Sequence, residues 1–126
     1  GVPIGSFQAL QHRAVDLHIQ LALTRASVAA AASTLDAGAD AAACALAVSR
    51  AKARASEAAL RITREAIQMH GAMGMTDECR VGHFVKRLMV IGQLFGDSAW
   101  HLQQLAHHEP VKPRPNPSSA PSLHAN

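Results

Sequence analysis

A chain of 126 residues holds one domain at most, and 48% apolar against 17% charged residues exclude a solvated, coreless polymer. Aromatic content is only 3%, with Trp100 alone, no tyrosine and three phenylalanines, while alanine is abundant; this favours close-packed helices over a sheet. A net charge of +3 with both signs interspersed, and no Lys/Arg block of the kind that follows phosphates, points away from a nucleic-acid partner.

From Phe7 the positions Phe7, Leu10, Ala14, Leu17, Leu21, Thr24, Val28, Ala31 and Leu35 step by three and four, which predicts one apolar face of a long helix. Ser6 is the expected N-cap, and Gly38 with Asp40 marks the stop and the next start. A second helix is predicted from Asp40 to Met69, with Leu46, Ala53, Leu60 and Ile67 spaced by seven and Ser49, Ser56 and Thr63 on the same stripe. Small residues on a seam mean close approach, so the two long helices are expected to form an antiparallel hairpin. Glu57 with Arg61, and Arg61 with Glu65, are expected as (i, i+4) ion pairs on its outer face. After a glycine-rich break, Thr76 or Asp77 is expected to cap a third helix with Val81, Phe84, Val85, Leu88 and Ile91 on its apolar face. Gly92 and Gly96 flank its end, and Asp97 is the expected N-cap of a short fourth helix, Ser98 to about His107, burying Trp100 and Leu105. The expected fold is an all-α four-helix bundle over residues 1–107. The five-proline segment from 108 to 126 is expected to be a disordered tail.

Cys44 and Cys79 form neither a CxxC nor a Cys/His ligand spacing, which fits free thiols in a reducing, cytoplasmic compartment. The eight histidines are scattered, with no HxxxH or HExxH, so no metal site is expected. No run of 18 apolar residues occurs, and membrane insertion is not expected. The chain opens on Gly1-Val2-Pro3 and not on methionine, so a fragment of a longer protein is expected.

The stretch "REAIQMHGAMGMTDE" carries the most information. It resembles the C-terminal helical domain of the acyl-CoA dehydrogenase family, in which a long helix ends in Gln-x-x-Gly-Gly-x-Gly, an aromatic residue, two further residues and Glu. Here the pattern runs from Gln68 through Met69, His70, Gly71, Ala72, Met73, Gly74, Met75, Thr76 and Asp77 to Glu78, with Ala72 in place of the second glycine. The opening "GVPIGSFQALQHRAVDL" is similar to the family segment that follows an Arg-x-x-Phe signature, with Pro3 and Gln8 at the family spacing. The resemblance covers residues 1 to about 107. It implies an FAD cofactor lying across a subunit interface, in a dimer or tetramer of like or unlike subunits. It implies cofactor contacts from Gln8, Gln68, Met69, His70, Gly71 and Ala72, where glycine lets backbone approach a dinucleotide. Without the resemblance, Gly71 and Gly74 read equally as the C-cap and turn of a helix hairpin, and Met69, Met73 and Met75 as core fillers.

The implied reaction is α,β-dehydrogenation of an acyl-CoA thioester, in which a carboxylate takes the α-proton and the β-hydride goes to the flavin. In many members the carboxylate is a glutamate in an aromatic-Glu-Gly-Thr segment. This chain has "LFGDSAW" there, so Phe95 stands at the base position and a phenyl ring cannot accept a proton. Gly96 is retained, on the substrate side; Asp97 stands in place of the FAD-holding threonine and by that position is also an implied cofactor-side residue, and Ala99 lacks the usual polar side chain. Three explanations stand open: a base upstream of Gly1, a base supplied within a pair of unlike subunits as in branches acting on steroid or other polycyclic acyl-CoAs, or Asp97 acting two residues late. The "FGDSAWHL" stretch resembles the unlike-subunit branches more than the straight-chain enzymes. On this reading the 126 residues alone neither hold FAD tightly nor turn over, and the alternative class is a non-catalytic subunit or an independent helical interaction module.

Overall fold

Asp40 dictates where the second long helix begins. In the computed structural model, which describes residues 1–108, its Oδ1 accepts from the Ala43 amide at 2.7 Å, satisfying a donor that a helix start leaves orphaned. Four helices follow one another, α1 (Gln8–Asp36), α2 (Ala41–His70), α3 (Arg80–Gln93) and α4 (Ser98–His108), with 3-10 turns at Ile4–Ser6 and Gly71–Met75. The fold is therefore all-α, as the alanine-rich composition demanded. The expected proline-rich tail lies outside the described residues, apart from His108, which closes α4.

α2 is the hub. It packs against α1 on one side and against α3 and α4 on the other. The buried apolar residues Ala51, Ala53 and Ala58 of α2 and Ala31 of α1 are all alanines, so helix axes come close without interdigitating large side chains. Arg54 donates to the Gln20 side chain at 2.7 Å, and Arg13 pairs with Glu65 at 3.5 Å, which fixes α1 antiparallel to α2. Lys52 donates to the Ile91 carbonyl at 2.9 Å, beside the Leu94 amide that also donates there, and sets a positive charge at the C-terminus of α3.

Several local expectations need correction. The α1 stripe divides: Leu10, Leu17, Thr24 and Ala31 turn inward, whereas Phe7, Ala14, Leu21, Val28 and Leu35 stay exposed. Positions offset by three lie on one broad face, but the alanine-lined seam is narrow enough to cover only one of the two heptad rows. Ser6 does not cap α1, because its hydroxyl donates to the Pro3 carbonyl at 2.7 Å. Thr76 likewise donates to the Met73 carbonyl, and α3 starts after Cys79 with no side-chain cap. The carboxylates assigned to Arg61 serve other helices: Glu65 meets Arg13, and Glu57 accepts from the Ser98 hydroxyl. Trp100 is 48% exposed, and its neighbour His101 is the buried residue of α4. No helix among the described residues is long and apolar enough to cross a membrane.

Candidate functional site

The C-terminus of α2 is built by two glycines with different jobs. Gly71 has φ +60° and ψ −140°, a region open essentially to glycine alone, and the space where its Cβ would stand is empty. Gly74 is buried, and a Cβ there would stand 2.5 Å from the Ile67 carbonyl oxygen, so its role is close approach of backbone to backbone. His70 Nδ1 donates to the Ala66 carbonyl at 2.7 Å, which spends one ring nitrogen on the helix end. Gln68, His70, Gly71 and Ala72 are exposed and Met69 is half-buried. Met73 and Met75, which would be core fillers on the reading without the resemblance, point outward, Met75 at 79% exposure.

Gln8, sixty residues away in sequence from Gln68, arrives at the same end of the molecule. Arg13 faces Glu65 and Gln20 faces Arg54, so the antiparallel register carries the first residue of α1 alongside the last turns of α2. Gln8 is exposed there. The Gln8, Gln68, His70, Gly71 and Ala72 set thus shares one end of the α1–α2 hairpin.

Phe95, Gly96 and Asp97 lie elsewhere. Ser98 donates to Glu57 at 2.5 Å, and His101 meets Ser49 at 3.1 Å, which places the α3–α4 turn beside the middle of α2. From Glu57 to Gly71 is fourteen residues, about 21 Å along the helix at a rise of about 1.5 Å per residue. Asp97 Oδ1 accepts from the Trp100 amide at 2.8 Å and caps α4 as expected. Gly96 has φ +97°, and a Cβ would sit 2.8 Å from the Trp100 ring, so both conformation and space require glycine. Phe95 has φ +62°, the one non-glycine residue among the described residues on that side of φ, and is 92% exposed. Between this turn and α2 and α3 runs a groove of about 620 Å³, floored by Leu60, Leu88 and Leu102 and rimmed by Glu57 and Arg64.

His101 is the residue sequence reasoning missed. It is 6% exposed, both its ring nitrogens are engaged, and it stands edge-on to Trp100 with centroids 4.7 Å apart. Its partner Ser49 was legible only as a small seam residue, and no short-range pattern joins the two. Among the described residues no three His, Cys, Asp or Glu side chains converge as a metal site, and Cys44 and Cys79 are free thiols.

The family description "Acyl-CoA dehydrogenase, C-terminal domain" matches residues 1–109. Acyl-CoA dehydrogenase IpdE2 of Mycolicibacterium smegmatis is 39% identical over 109 residues, covering 83% of this chain and 31% of that protein. IpdE2 of Mycobacterium tuberculosis is 40% identical over 94 residues, 75% of this chain and 27% of that one. The probable acyl-CoA dehydrogenase YngJ of Bacillus subtilis is 37% identical over 95 residues, 74% and 24%. The chain therefore spans less than a third of the length of these relatives. A chain in the solved structure of the electron transferring flavoprotein of Acidaminococcus fermentans superposes with a TM-score of 0.80 at 23% identity, over 86% of this chain and 28% of that one, a likeness of fold. The chain belongs to the acyl-CoA dehydrogenase family, as its C-terminal helical domain.

Proposed function

We propose that the protein containing this chain is an FAD-dependent acyl-CoA dehydrogenase, and that this domain contributes to cofactor binding and to subunit assembly. The observation that carries the reading is the convergence of Gln8 with Gln68–Ala72 at one end of the hairpin. Two exposed side-chain amides there can donate to and accept from a dinucleotide, and the empty space over Gly71 admits it to the backbone. The residues present therefore fit the ADP half of FAD, whose flavin supplies the hydride acceptor. Ala72 is exposed, so its methyl narrows the approach without filling it.

The separation along α2 between Gly71 and the residues that hold the α3–α4 turn, about 21 Å to Glu57 and about 33 Å to Ser49, suits a division of labour: one end of the domain serves a neighbouring subunit's cofactor, and the turn serves the acyl site. The exposed Leu21, Val28 and Leu35 row and the outward Met73 and Met75 supply apolar surface for such an assembly, as a dimer or tetramer. Asp97 is committed to the α4 cap, and we assign it that role and not the base.

A second reading follows from Phe95. With a phenyl ring at the base position, this chain belongs to the non-catalytic member of an unlike pair, or to an enzyme whose base lies outside it, with a steroid or other polycyclic acyl-CoA as substrate. Flavin content decides between these. The full-length protein is expressed with and without the product of its neighbouring gene, and FAD per subunit is read from flavin absorbance. Half occupancy reached only in a mixed complex supports unlike subunits; full occupancy alone supports a base elsewhere in the same chain. Protein without flavin in either preparation rejects the dehydrogenase reading.

A further inference from the structure

The α3–α4 turn combines features that do not arise by default. A large aromatic residue sits in the left-handed region at φ +62°, a conformation that costs a non-glycine residue about 1–2 kcal/mol, yet its ring is 92% exposed and gains almost nothing from the fold. Something must hold the backbone there, and the contacts identify it. His101 Nε2 lies 3.1 Å from the Phe95 carbonyl oxygen. A carbonyl has no hydrogen to give, so Nε2 carries the proton and donates. Nδ1 lies 3.1 Å from the Ser49 hydroxyl on α2, which ties the ring to the hub helix. Gly96 completes the fit, since only a residue without Cβ lets the turn lie against the Trp100 and His101 rings. One buried imidazole thus joins α2, α4 and the turn, and none of the described residues covers the phenyl ring that the turn carries outward.

We propose that His101 is a positioning residue: through the Phe95 carbonyl it fixes the turn so that the Phe95 ring forms an apolar wall against the acyl group of the substrate. The acyl contact rests on the dehydrogenase reading above; the clamp does not. An exposed, strained phenyl ring held from behind by a buried hydrogen bond is preorganised for something outside the chain, and an apolar acyl group matches its chemistry.

Two substitutions separate the roles of the two ring nitrogens. His101→Gln carries an amide donor to about the position of Nε2 and keeps the bond to Phe95; His101→Asn reaches Ser49 and leaves the carbonyl without its donor. Hydrogen exchange of the amides of residues 100 and 101, which donate to Asp97 Oδ1 and to the Asp97 carbonyl at the foot of the turn, reads the clamp in the full-length protein. The expected result is exchange at least about tenfold faster in His101→Asn, with α1 unchanged, and near the parent rate in His101→Gln. In the flavin-loaded protein, KM for an acyl-CoA should rise about tenfold in the Asn variant with kcat little changed, and stay near the parent value in the Gln variant, as loss of a uniform binding contact requires. A role in burial alone would affect both variants alike, so equal losses overturn the proposal, as does unchanged exchange at the amides of residues 100 and 101 in His101→Asn. Exchange as expected with unaltered KM overturns the acyl contact. A parent protein that neither binds nor oxidises acyl-CoA, but shows the expected exchange pattern, sinks the dehydrogenase reading and leaves the clamp standing.

Discussion

Two glycine-to-alanine substitutions should move stability in opposite directions. At Gly74 an added methyl would stand 2.5 Å from the Ile67 carbonyl oxygen, 3.1 Å from the Ile67 Cα and 3.1 Å from the His70 Cβ. Carbon-to-oxygen contacts settle near about 3.3 Å, so the methyl intrudes by about 0.8 Å, and what it meets is backbone and Cβ, not the free end of a side chain. Relief requires the Gly71–Met75 turn to lift from the end of α2. Overpacking of this kind costs about 1–3 kcal/mol, offset by about 0.4–1 kcal/mol from the reduced freedom of the unfolded chain, because φ at Gly74 is not in the left-handed region. The net loss of about 1–2 kcal/mol should lower the thermal midpoint by roughly 5–15 °C. Gly82 in α3 is the control: nothing lies within 4 Å of its would-be Cβ, so alanine there should stabilise by about 0.5–1 kcal/mol through helix propensity. Thermal and urea unfolding followed by helical circular dichroism measure both. A Gly74→Ala midpoint at or above the parent's would refute the packing argument.

Other substitutions test single contacts. Phe95→Gly relieves the left-handed strain and removes an exposed ring, so it should raise stability by roughly 0.5–1 kcal/mol in urea unfolding while weakening acyl-CoA binding; a destabilised variant would show that the ring packs on the fold. Asp40→Ala removes the α2 cap and should cost about 1 kcal/mol, whereas Asp40→Asn should retain most of it; equal losses from both would assign the effect to charge and not to the Ala43 bond. Lys52→Met removes a charge-assisted bond but leaves the Ile91 carbonyl its Leu94 amide donor, so it should cost only about 0.5–1 kcal/mol, with added hydrogen exchange confined to the last turn of α3.

Helix count and limits could be read from the sequence because their signals are local. Asp40 and Asp97 cap α2 and α4 as their positions implied, and Gly71 stops α2 through a conformation that few residues adopt. What could not be read depends on distant partners. α1 carries apolar residues on more than one row, so periodicity cannot choose between Leu10–Leu17–Thr24–Ala31 and Phe7–Leu21–Val28–Leu35; the narrow alanine seam of α2 makes the choice. Ser6 and Thr76 were plausible caps by residue type, but each hydroxyl found a carbonyl three residues back. The left-handed Phe95 left no trace, since glycine is the residue that normally marks such a site, and its clamp joins His101 to Ser49 across 52 positions. The residues of the proposed cofactor end were named through family resemblance alone, and the helical register brings Gln8 to the same end as Gln68.

The central claim is that the open end of the hairpin, where α1 begins and α2 ends, holds the dinucleotide. Gln68 is exposed, so Gln68→Ala should leave folding and assembly intact, and the direct measurement is the FAD dissociation constant of the assembled full-length protein by flavin fluorescence. Loss of one or two hydrogen bonds to a charged group predicts affinity weakened by about tenfold or more, with Arg61→Ala, exposed on α2 away from this end, near the parent value. Unchanged FAD affinity in Gln68→Ala, with the same subunit stoichiometry, would contradict the account.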